Sequence, residues 1–168
     1  MSNNKKFWQN VAVYIGCLVG LVGASTASAG ESGPPGTYTD VSLFAAGDLC
    51  SFPLKFTGDG KLKIIFLKGG QRIIGMAPGV VNTITNLDQP DKVFTRKVGG
   101  STHVTNAVDG SALIELRGQL YYFGGPTDSP SGLWLLIGNY SLAFDATGNL
   151  TQPLAGQGRM IDICGLLE

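Results

Sequence analysis

Residues 52–67 read FPLKFTGDGKLKIIFL, and their spacing decides the fold class. Phe52, Leu54 and Phe56 alternate with Pro53, Lys55 and Thr57; beyond Gly58-Asp59-Gly60, Leu62, Ile64 and Phe66 alternate with Lys61 and Lys63. Successive side chains of an extended strand point to opposite faces. A period of two therefore turns one apolar face to a core and one polar face to water. Gly58-Asp59-Gly60 and Gly69-Gly70 read as tight turns, which makes this stretch part of an antiparallel hairpin series.

The pattern continues outward from there. Ile73-Ile74 begins another strand, interrupted near Ala77-Pro78-Gly79. Residues 80–87 and 92–98 flank Asp88-Gln89-Pro90-Asp91, a link with turn residues in the right places. Residues 103–108 and 111–116 flank Asp109-Gly110, the strongest hairpin signal in the chain. Residues 120–123 are apolar on both faces, residues 124–132 (GGPTDSPSG) form the longest loop, and 133–137 are a continuous apolar run. Tyr140, Leu142 and Phe144 alternate up to a Thr147-Gly148-Asn149 turn, and residues 159–164 close the chain as a last strand. Residues 41–46 read as a helical turn or a first strand. About eight to ten strands in sequential hairpins, with no amphipathic helix, point to an all-β antiparallel up-and-down β-barrel. A β-sandwich is the alternative.

The N-terminus gives an address. Lys5 and Lys6, the apolar run 11–22 and Ala27-Ser28-Ala29 have the order of a secretory signal over 1–29, cleaved between Ala29 and Gly30. The run is about a dozen residues, against roughly 20 for a bilayer span, so no stable span is expected after cleavage. A retained anchor and lipid attachment at Cys17 are the alternatives. Residues 30–47, rich in Gly and Pro, read as a flexible leader, and residues 48–168 as a single β domain. The signal carries Lys5 and Lys6 but none of the 12 acidic residues, so the mature chain is slightly acidic. Without clustered Lys and Arg, electrostatic capture of nucleic acid is not supported.

Of three cysteines, Cys17 leaves with the signal. Cys50 and Cys164 remain, an even pair in an oxidising compartment, and a disulfide joining the two ends of the domain is expected.

Candidate chemistry is sparse. His103, the only histidine, lies in a strand. It titrates near neutrality and could serve as a general acid or base if folding brought a partner to it. Glu115 and Arg117, two apart, share one face of a strand, either a barrel lumen or a solvated surface. Tyr121, Phe123 and Trp134 could line a ligand pocket or simply fill the core. One histidine and scattered carboxylates make no zinc ligand set, and no cofactor is expected.

Several short motifs fall in a shared order: Asp48-Leu49-Cys50-Ser51-Phe52-Pro53, Thr85-Asn86-Leu87-Asp88, Gly125-Pro126-Thr127-Asp128 and Asp162-Ile163-Cys164. In that order the chain resembles a group of small secreted β-rich proteins from actinomycete-type bacteria, over nearly the whole mature length. The resemblance implies secretion to the outside or the cell envelope and a β architecture, and no reaction. The expected function is that of a secreted, non-catalytic β protein, either binding a small apolar ligand or serving as an envelope-associated module. The alternative is a small-barrel enzyme of the dirigent-like or allene-oxide-cyclase-like kind, which requires His103, Glu115 or Arg117 to face inward.

Overall fold

The computed structural model describes residues 34–168, so the expected signal and its Ala29/Gly30 cleavage point lie outside the described residues. Seven strands follow in chain order: β1 (Gly36–Phe44), β2 (Leu54–Leu67), β3 (Arg72–Asn86), β4 (Val93–Asn106), β5 (Ala112–Gly124), β6 (Gly132–Phe144) and β7 (Leu150–Asp162). A short helix, α1 (Ile163–Leu167), ends the chain. Every strand pairs antiparallel with its sequence neighbour, giving one up-and-down sheet of order β1-β2-β3-β4-β5-β6-β7.

The all-β meander is as expected; the barrel is not, because β1 and β7 do not pair and the sheet stays open. The strand count also falls, for a clear reason. Gly58-Asp59-Gly60 does not reverse the chain but lies inside β2, where the ladder slips between Asp59 and Lys63. Ala77-Pro78-Gly79 is likewise a slip within β3, and the segments 133–137 and 140–144 are one strand, β6. Glycines that resemble turns are bulges and bends of long strands. Two further corrections concern the ends. The leader 30–47 contains β1, and residues 163–167 are helical, with Asp162 capping the helix by accepting from Gly165 N (3.1 Å).

The sheet forks. β4 pairs with β5 only from Gly100↔Gly118 to Asn106↔Ala112, whereas β3–β4 and β5–β6 run on past that point. The last pair before the fork belongs to a row of four glycines in register, Gly100↔Gly118↔Gly138↔Gly158. At each of them a Cβ would run into neighbouring backbone, so the strands approach there more closely than side chains allow.

Beyond the row, the branch of β1–β3 and early β4 faces the branch of late β5, early β6 and late β7. The apolar core between them holds Leu54, Phe56, Ile84 and Val98 on one side and Tyr121, Phe123, Leu133 and Leu135 on the other. Strands that are not neighbours in the sheet meet here. Phe56 touches Tyr121 and Phe123 edge-on at 5.3 and 5.2 Å, and Phe44 stacks on Phe123 at 5.8 Å. On the reverse face of β4–β6, Val104, Ile114, Leu116, Tyr122, Leu136 and Leu142 form a second cluster. Late β5 is therefore buried on both faces, which is why residues 120–123 lack polar alternation.

The open end of the fork is closed by the Cys50–Cys164 disulfide (S–S 2.03 Å), which ties the β1–β2 connection to α1. Beside it, the buried Asn86 donates from Nδ2 to Leu167 O (2.9 Å), while its Oδ1 accepts from the Asp88 and Gln89 amides. The expected pairing of the two ends is what the structure shows.

The β6–β7 turn is a dense local network. Asp145 Oδ1 accepts from Thr147 N (2.9 Å), Thr147 Oγ1 (2.6 Å) and Asn149 N (2.9 Å). These bonds, that from the Thr147 hydroxyl foremost, pull the Asp145 carboxyl down to about 2. A depressed carboxylate stabilises the fold fully above its ordinary value of 3.8 and loses that contribution as pH falls through about 2. A carbon-detected NMR titration is expected to show Asp145 titrating near 2, and Asp145→Asn to remove that part of the acid sensitivity; a value near 3.8 would contradict the network.

Candidate functional site

Register brings His103 directly opposite Glu115 on β4 and β5, with Ser101 opposite Arg117 and Ile74 of β3 on the other side of His103. The pair two apart on β5 behaves as its spacing implies: Arg117 Nη2 donates to Glu115 Oε1 at 2.9 Å. Two further residues join them that the sequence did not single out. Arg72 Nη2 donates to His103 Nδ1 at 3.4 Å, and His103 Nε2 lies 3.0 Å from Ser101 Oγ.

These contacts fix the chemistry. A guanidinium only donates, so His103 Nδ1 accepts in that contact, and the direction of the Nε2–Ser101 bond follows the ring tautomer. Burial, then the charges of Arg117 and Arg72, push the His103 pKa below its ordinary value, with Glu115 pulling weakly the other way. Glu115 is held low, first by the hydrogen bond from Arg117. Its charge is already matched by that guanidinium.

The cluster lies on a solvated face of the sheet, with the Arg117 and Glu115 side chains 48% and 33% exposed. The barrel-enzyme alternative requires His103, Glu115 or Arg117 to face inward; the sheet is open, Arg117 is exposed, and His103 and Glu115 are half-buried. Ser101 was within reach of the sequence, being two residues before His103 on the same strand. Arg72 was not, because its approach depends on the β3–β4 register.

The three aromatic candidates do not come together. Tyr121 and Phe123 point into the core between the branches, whereas Trp134 lies on the reverse face beside Tyr122 and donates from Nε1 to Ser131 O (2.7 Å). Tyr121 is 8% exposed, its hydroxyl has no hydrogen-bond partner, and burial pushes the phenol well above its ordinary pKa. Among the described residues no His, Cys, Asp or Glu side chains gather in threes as a metal site needs, and no helix is long and apolar enough to cross a membrane.

Set against known proteins, the chain matches no family model, no curated protein and no solved structure.

Proposed function

We propose that this chain is an exported β-sheet module of the cell envelope or the extracellular space, which acts by presenting surfaces and runs no reaction of its own. One observation carries the reading. The space between the two branches, where a ligand of a small β protein would sit, is taken up by the chain's own rings, Phe44 and Phe56 against Tyr121 and Phe123. The disulfide suits an oxidising compartment. The polar cluster around His103 is in keeping with that reading, since the Glu115 carboxylate beside it is already matched by the Arg117 guanidinium.

A second reading, a binder of a mostly apolar ligand bearing one acceptor, is favoured by the Tyr121 hydroxyl alone. A buried phenol oxygen without a partner costs about 1–3 kcal/mol, and a ligand acceptor would relieve it. Native mass spectrometry on the secreted protein separates the two. The bare chain mass is expected; a stoichiometric small-molecule adduct that disappears in Tyr121→Phe would overturn the module reading. In the unliganded protein, Tyr121→Phe removes an orphaned group and is expected to be neutral or to stabilise by up to about 1 kcal/mol in thermal unfolding.

A further inference from the structure

The two edges of the sheet are not alike. β7 is guarded: Pro153 lacks an N–H, and the β6–β7 ladder slips between Ser141 and Ala143 and again between Ala143 and Phe144. β1 is open. Its ladder with β2 is unbroken from Gly36↔Leu62 to Phe44↔Leu54, it contains no Pro and no Lys, and no described residue forms a strand on its far side. Tyr38 and Phe44 turn toward the core, so by alternation Asp40 and Ser42 share that inner side. Val41 and Leu43 point the other way and are 60% and 70% exposed, the most exposed large apolar side chains of any strand.

We propose that β1 pairs antiparallel with β1 of a second copy of this chain, joining two seven-stranded sheets into one across a two-fold axis at Val41. The strand is self-complementary about that residue. With the inner faces kept on one side, Val41 meets the partner's Val41, Thr39 the partner's Leu43 and Tyr38 the partner's Phe44. Asp40 meets the partner's Ser42, a hydroxyl donor, and Ser42 Oγ already donates to Asp40 Oδ2 at 3.2 Å within the strand. Apolar, aromatic and donor–acceptor pairs all fall directly opposite, where cross-strand side chains interact most. Shifting the axis to Asp40 sets two carboxylates face to face, and shifting it to Ser42 sets Asp40 against Phe44; both are penalised.

The seven residues 38–44 exchange about six to eight backbone hydrogen bonds in such a pair. Because the β7 edge is guarded, growth stops at two copies: the contact is isologous and closed. One strand pair buries less than the ~1,600 Å² of a standard interface, so the dimer forms at micromolar concentration or above. This inference deepens the module reading, since it names the partner of one surface, and it fails separately: an adduct mass overturns the module, a monomer overturns the pairing.

Sedimentation velocity on the secreted protein over a wide concentration series is expected to show a monomer–dimer equilibrium. Val41→Lys places two ammonium groups opposite each other and is expected to weaken the dimer on the order of tenfold or more, with thermal unfolding of the monomer little changed. Val81→Lys, on the outer face of β3 away from the edge, is expected to leave the dimer intact. Val41→Cys is expected to crosslink as a dimer under mild oxidation, and Leu43→Cys is not, since the two copies of position 43 are four residues out of register. A protein that stays monomeric throughout, or a dimer that Val41→Lys leaves unchanged, overturns the proposal.

Discussion

Replacing both Cys50 and Cys164 with serine is expected to lower the unfolding free energy by roughly 4–5 kcal/mol, measured by urea denaturation. The bond joins residues 114 apart, so in the unfolded chain it closes nearly the whole described domain into one loop. Most of its effect is on that ensemble, whose freedom it restricts. The folded state adds a local part. The bond holds α1 against the open end of the fork, where Ile163 and Leu167 are buried and Asn86 Nδ2 reaches Leu167 O. Hydrogen exchange in the variant is therefore expected to rise first in α1 and in the β1–β2 connection. A loss below about 1 kcal/mol would mean that the reduced chain is already constrained in some other way. Against a total of about 5–15 kcal/mol for a domain, the expected loss decides whether the protein stays folded on warming.

Gly138→Ala is expected to cost roughly 2–6 kcal/mol, the sum of a backbone penalty and a steric one. Its φ of 144° is unfavourable for any residue with a Cβ, and the added carbon would overlap the Gln157 carbonyl oxygen and lie 2.8 Å from Gly158 Cα. Neither neighbour can swing away, since both are backbone of the paired strand. Gly47→Ala isolates the backbone penalty: its φ is 91°, nothing lies within 4 Å of the new carbon, and about 1–3 kcal/mol is expected. If the two variants unfold at the same denaturant concentration, close approach along the glycine row is not what shapes the sheet.

Much of the architecture was legible in side-chain spacing, and the failures share one cause. Alternation and apolar runs located β2 to β6, because burial of one face leaves a period of two; β1 was read as part of a leader, and only the end of β7 was marked. Asp109-Gly110 and Thr147-Gly148-Asn149 are true reversals, in which Asp109 and Asp145 accept from backbone amides two residues on. Gly58-Asp59-Gly60 resembles them in composition, yet Asp59 stays in the ladder opposite Thr39 and accepts from its hydroxyl at 3.4 Å. A glycine that lets a strand bend and one that lets it turn are the same residue; only the partner strand tells them apart. Closure into a barrel was beyond reach for a related reason. It requires the first and last strands to meet, and alternation is silent about how far a sheet rolls.

The candidate site divides in the same way. Glu115 and Arg117 share a face by period alone, and their ion pair followed from it. His103 opposite Glu115, and Arg72 against its ring, come from register between strands, which no local pattern encodes. The five-residue helix α1 is too short to show a period, and only the capping carboxyl of Asp162 marks its start. Tyr121 and Phe123 share the core between the branches, whereas Trp134, opposite Tyr122, faces the other side of a sheet buried on both.

The crosslink between Cys50 and Cys164 also determines how the molecule bears tension. A pull on the two chain ends enters through β1, crosses the sulfur bridge and leaves by the last few residues of α1. The strands β2 to β7 lie inside the covalent loop and cannot be drawn out by such a pull while the bridge is intact. Among the described strands only β1 is outside it, so a tethered molecule under strain would peel that strand and the few residues after Cys164, and extend no further.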